Sequence, residues 1–117
     1  MLTSETLREA AKEIRAGCCQ GVYEDDRGGV CANGALMRVI DGKAEWSPSS
    51  DWLRFKAATT YVHLALQGDQ RDLAFWNNAP DQTQENVALA FELAAVLAEQ
   101  DERASLQAVV NADLVTA

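Results

Sequence analysis

Positive charge is scarce in this sequence: 10 Lys and Arg stand against 18 Asp and Glu, a formal net charge of −8 over 117 residues. The deficit is lopsided. Residues 1–50 hold eight acids and six bases, whereas residues 51–117 hold ten acids and four bases, and past Asp69 the only bases are Arg71 and Arg103. Ordinary nucleic-acid binding needs clustered Lys and Arg, so direct binding to DNA or RNA is excluded, and anionic membrane is disfavoured for the same reason. Long apolar runs are missing too; none approaches the roughly 20 residues that cross a bilayer. The first 20 residues carry Glu5, Arg8, Glu9, Lys12, Glu13 and Arg15, which no secretory signal would, and a cytoplasmic protein is expected. Cysteines are few and odd in number. Cys18, Cys19 and Cys31 cannot all pair within one chain, so reduced thiols are expected rather than a disulfide scaffold.

What is present points to helices. The hydrophobic share is 48%, led by 20 alanines and 12 leucines, both strong helix formers. A first helix is expected from about Glu5 to Ala16, capped by Thr3 or Ser4 and stopped by Gly17, with Leu7, Ala10, Ala11 and Ile14 on one face. Residues 18–34 read two ways. Val22-Tyr23 and Val30-Cys31 flank a Gly-rich turn and suggest a short β-hairpin near residues 21–32, or the segment is a structured loop leading into a helix. A second helix runs from about Ala32 to Ile40. A third, capped by Ser49 or Ser50, spans Asp51 to Gln67 with Trp52, Phe55, Thr59, Val62 and Leu66 on its inner face and Gly68 at its end. A short helix from about Asp69 to Trp76 breaks at Asn77-Asn78-Ala79-Pro80. The last helix starts at Asp81 or Thr83 and contains no Gly or Pro; between Val87 and Ala98 only Glu92 is polar. Residues 104–117 continue it or form another helix through Leu106, Val109 and Val110. The expectation is a single all-α domain over residues 1–117, a bundle of about five helices.

Four short segments then carry a likeness. Gly17-Cys18-Cys19-Gln20-Gly21, Cys31-Ala32-Asn33-Gly34-Ala35-Leu36, Trp76-Asn77-Asn78 and Thr83-Gln84-Glu85-Asn86-Val87 occur in this order. Together they resemble a family of small proteins of unknown function in actinobacteria and their phages, over roughly residues 7–100. That family has an apolar residue where Asn33 stands and usually Asp at Asn78. The resemblance implies an accessory protein of a phage or mobile region, and hence a host cytoplasm; it implies no activity.

Several residue sets bear on chemistry. Cys31, just before a helix, would have its thiol acidified by that helix's N-terminus, and His63 could take the proton: a small Cys-dependent enzyme is one reading, although no local signature of such an enzyme surrounds Cys31. Cys18, Cys19, Cys31 and His63 lack the spacing that presents two thiolates to one metal, so no metal and no cofactor are expected. Glu24-Asp25-Asp26 lacks the alternation of a calcium loop, and Asn33-Gly34 reads as a turn tolerant of positive φ. Asn77 and Asn78 read as turn-formers bonding nearby backbone, with Trp76 in the core. Protein binding is the preferred function. Glu85, Glu92 and Glu99, seven apart on the last helix, and Trp46 in a polar loop are the expected contacts for a basic or nucleic-acid-handling partner, with modulation of a host factor as the outcome. A homodimer that buries the surplus apolar face of the last helix is the third reading.

Overall fold

The structure, a computed structural model, describes residues 1–67 and 72–116. Five helices follow one another: α1 (Thr3–Ala16), α2 (Ala32–Asp41), α3 (Trp52–Ala65), α4 (Leu73–Asn77) and α5 (Gln84–Thr116). The expected stop at Gly68 and the expected start of the short helix at Asp69 lie outside the described residues.

The core is built on α1 and α5, the most extensively packed pair. Leu7, Ala10, Ala11 and Ile14 of α1 meet Val87, Ala88, Phe91, Ala94, Ala95 and Ala98 of α5, all buried. The alanines let two helix axes approach closely, and Phe91 fills the space they leave. Met37 and Leu36 of α2, with Phe55, Ala58 and Val62 of α3, close the remaining sides.

Each helix end has an identifiable cause, and some differ from the sequence expectation. Neither Thr3 nor Ser4 caps α1 locally. Ser4 is buried, and its backbone N–H and hydroxyl both donate to the Glu102 carboxylate on α5, which satisfies the helix start from across the fold. Asp51, not Ser49 or Ser50, caps α3 by accepting from the Arg54 N–H at 3.2 Å, while the Ser50 hydroxyl accepts from the Ser47 N–H. Gly42 ends α2 in the left-handed region at φ 86°, a conformation that favours glycine. Thr83 caps α5 through the Asn86 N–H, as its sequence predicts.

No β-hairpin forms among the described residues. Residues 17–31 make a loop in which Val30 alone forms isolated bridges with both Cys18 and Glu24. Asp25 closes the turn: its side chain accepts from the N–H groups of Arg27 and Gly29, and its own N–H donates to the Gly29 carbonyl. Gly21 and Gly28 both lie at φ 82° and turn the chain away before a ladder can extend. Arg38 of α2 ties this loop to the body, donating to Glu13 at 2.8 Å, to the Gly28 carbonyl at 2.9 Å and to Glu24.

The inner face of α3 is Phe55, Ala58, Val62 and Ala65; Trp52 is 56% exposed. Trp52 occupies the first turn, beyond the helices beneath. Trp46 from the preceding loop lies edge-on to Phe55 at 4.7 Å and is half-buried against the core, with Trp52 stacked on the same ring at 5.7 Å. The two tryptophans therefore differ from expectation: Trp46 packs inward and Trp52 faces out.

Candidate functional site

The four segments that carry the sequence likeness meet at one end of the bundle. Asn77, fully buried at the end of α4, accepts a hydrogen bond from the Ala32 N–H at 3.0 Å and donates to the Cys19 carbonyl at 3.1 Å. It thus caps α2 from 45 residues away and ties down the 17–31 loop with the same amide. Asn78 accepts from the Gly21 N–H at 2.8 Å, and Gln20 donates to the carbonyls of Asn77 and Ala79. Gln84, in the first turn of α5, donates to the Ile14 and Arg15 carbonyls at the end of α1. The asparagines were expected to bond backbone nearby; their main partners are remote, because the loops they join are short of backbone partners of their own.

Gly34 belongs to the same junction for a reason other than the turn suggested by Asn33-Gly34. It is helical, without positive φ, and a Cβ there would sit 2.0 Å from the Tyr23 carbonyl oxygen. That carbonyl accepts from the Cys31 N–H at 3.2 Å, so the absence of a side chain lets the loop close over the start of α2.

Cys31 stands at this start. Its sulfur accepts from the Gly34 N–H at 3.3 Å, the position of an N-cap, and it borders an open cleft of about 440 Å³ with Gly21, Val22, Tyr23, Ala74 and Asn78. The helix N-terminus does lower its pKa, but burial outweighs that and the thiol is held above its ordinary value. Burial raises Cys18 in the same direction and pushes Cys19 up to about 11. All three cysteines are free thiols. His63 lies half-buried on α3 and is not among the described residues that border the cleft. Among the described residues, no cluster of three or more His, Cys, Asp or Glu side chains is placed to hold a metal ion, and no helix is long and apolar enough to cross a membrane.

The expected acidic stripe of α5 faces α1. Arg15 pairs with Glu85 at 2.8 Å and with Glu92, while Glu99 is held by Arg8 and Arg103, each at 2.7 Å. The guanidinium groups lower the pKa of Glu85 and Glu99, and the carboxylates of Glu92 and Glu85 in turn raise that of Arg15. Much of the stripe's charge is thus answered within the fold, and it braces the principal helix pair.

A further surface lies along the last helix, whose surplus apolar face is the one a homodimer would bury. From Arg103 to Leu114, α5 runs beyond the body with every residue exposed, and Leu106 (65%), Val109 (60%), Val110 and Leu114 (73%) are solvent-facing. At the root of this projection, Leu2, Ser4, Glu5, Arg8, Glu99, Glu102, Arg103 and Leu106 line a groove of about 490 Å³. The signal is legible as apolar residues three or four apart, 106, 109, 110 and 114; what the sequence does not show is that they stay exposed among the described residues.

A family model, described as a family of unknown function (DUF6197), matches residues 1–97. The match therefore takes in the cap junction and ends within α5, before the projection. No curated protein and no solved structure matches the chain.

Proposed function

We propose that this chain, which belongs to the family of unknown function (DUF6197), acts by protein–protein association through the projecting half of α5. The observation that carries this reading is the exposure of Leu106, Val109, Val110 and Leu114 along a helix that has left the core. An isolated helix shorter than about 12–15 residues is marginal in water, so such an apolar face is better satisfied against another chain than against solvent. The net charge of −8 favours a basic or nucleic-acid-handling protein over nucleic acid itself. The likeness to small actinobacterial and phage proteins supports the finer version, an accessory protein acting in the cytoplasm on a host factor.

The test compares the full chain with its Leu106→Glu, Leu114→Glu variant as baits in an actinobacterial lysate, with bound proteins identified by mass spectrometry. The expected result is a stoichiometric protein, which includes an untagged copy of the chain supplied alongside, retained by the first bait and lost by the second. Identical recoveries on both baits overturn the reading. A second reading, thiol chemistry at Cys31, rests on its place beside the open cleft. It requires Cys31 to alkylate at neutral pH faster than a free cysteine; protection until well above the ordinary thiol range removes it.

A further inference from the structure

The projecting half of α5 and the groove at its root are complementary to each other in an antiparallel sense. We infer that two copies of this chain dock as a two-fold symmetric dimer, the projecting helices side by side and the tip of each in the groove of the other. This rests on the reading above that the projection is a docking element, and it names the occupant.

The charge pattern selects a second copy. From Arg103 to Thr116 the only charged side chains are Arg103 and Asp113, opposite in sign and each five residues from Ala108. An antiparallel pair centred on Ala108 places Arg103 of each copy opposite Asp113 of the other. A parallel pair would set Arg103 against Arg103 and Asp113 against Asp113, and like charges facing each other disfavour it. The Arg103 side chain is 78% exposed, although it also reaches Glu99 in its own helix, so it is available to a second copy.

The same register pairs the apolar residues. Leu106 faces Val110 of the second copy across a seam that also carries Arg103 and Asp113, all on one face of the helix, while Ala108 marks only the level of the two-fold axis, its own side chain lying on the far side. Residues 104–116 extend for roughly 20 Å at about 1.5 Å per residue. That reach sets Leu114 opposite Glu102 of the second copy, at the groove lined by Leu2, Arg8 and Leu106. Leu2 is itself exposed there, so the tip of one helix covers apolar surface on the body of the other. The interface is isologous and uses each groove once, which closes the assembly at two copies.

Sedimentation of the purified full chain over a wide range of concentration tests this, with circular dichroism confirming that each variant keeps its helices. The wild type is expected to pass from monomer to dimer as concentration rises, and Leu106→Glu to remain monomeric. Arg103→Glu and Asp113→Arg should each raise the dimer dissociation constant by roughly tenfold, since each sets two like-charge contacts across the pair. The double swap Arg103→Glu, Asp113→Arg should bring it back towards wild type. A dimer indifferent to both single swaps, or unaffected by Leu106→Glu, overturns the docking geometry. A monomer at every concentration overturns self-association; if the lysate comparison still shows a protein lost with the α5 variant, the broader reading survives that result, and if it does not, both fall.

Discussion

At the residue scale the consequential side chain is Asn77. Its amide is buried and spends both ends on backbone groups that belong to different segments, the Ala32 N–H and the Cys19 carbonyl. Asn77→Ala would strand the buried Ala32 N–H and the part-buried Cys19 carbonyl, at about 1–3 kcal/mol for each orphaned group. We expect a loss of stability of roughly 2–4 kcal/mol, read as a lower urea midpoint with an unchanged slope. Asn77→Asp keeps the acceptor for Ala32 but loses the donor to Cys19, and should fall between wild type and alanine. Gly34→Ala is predicted to be worse than a helix-propensity scale suggests. Alanine is the better helix former, yet its methyl would meet the Tyr23 carbonyl at 2.0 Å, so the loop must be displaced and the midpoint should drop rather than rise. Neither role was legible in the sequence. Asn-Asn before Ala-Pro is ordinary turn chemistry, and a glycine after Asn suggests positive φ; only the three-dimensional approach of the 17–31 loop gives them their work.

At the element scale the helices themselves were legible, because their apolar spacing and their Gly stops are local properties. The start of α5 at Thr83 and the ends of α1 and α2 follow directly from the residues present. What local reading could not supply was which element covers which. The stripe through Trp52 and Phe55 has helical spacing, but Trp52 in the first turn stacks only on the outer side of the Phe55 and Trp46 rings and stays exposed, while Trp46 packs edge-on to Phe55. The glutamate stripe is polar by its residues alone, but spacing does not show that it lies opposite Arg8 and Arg15, residues 70 or more positions away. The projection of α5 gives this scale its prediction. Amides of residues 104–114 should exchange with solvent deuterium much faster than those of residues 87–98 in dilute protein, since local opening there exposes almost no buried apolar surface. Their protection should increase with protein concentration if two copies pair, and uniform protection across α5 at the lowest concentration would contradict the exposure described.

At the scale of the whole molecule, the projection makes the chain long for its mass. The principal extents are 57 × 31 × 23 Å and the Cα radius of gyration is 15.6 Å, against about 13 Å for a compact domain of this length. The charge balance also acts here. The arginines hold Glu85 and Glu99 below the usual carboxylate range, so the folded state binds protons less readily than the unfolded chain. Stability from these pairs is therefore present above the ordinary glutamate pKa and is lost as pH falls through the depressed values. Thermal midpoints should decline on acidification below about pH 4.5, the ordinary glutamate range, and high salt should flatten that decline. The thiols, buried at Cys31 and half-buried at Cys18 and Cys19, act at the other end: their raised pKa values favour the folded state while they are neutral, and that contribution is lost as pH rises above the ordinary thiol range. A triple Cys→Ser variant that kept the alkaline decline would rule the thiols out as its source.

The pairing of α1 with α5 carries one more consequence, for the order in which the fold can assemble. The most extensive helix pair joins the two elements farthest apart along the chain, and Glu102 of α5 completes the very start of α1. Most helical proteins assemble from neighbours and do so quickly; here the central contact spans nearly the whole sequence, and its loop-closure entropy must be met before the core rewards it. As the chain is synthesised, the face of Leu7, Ala10, Ala11 and Ile14 waits for a helix made some 70 residues later, so α1 is among the last of these helices to become fully buried.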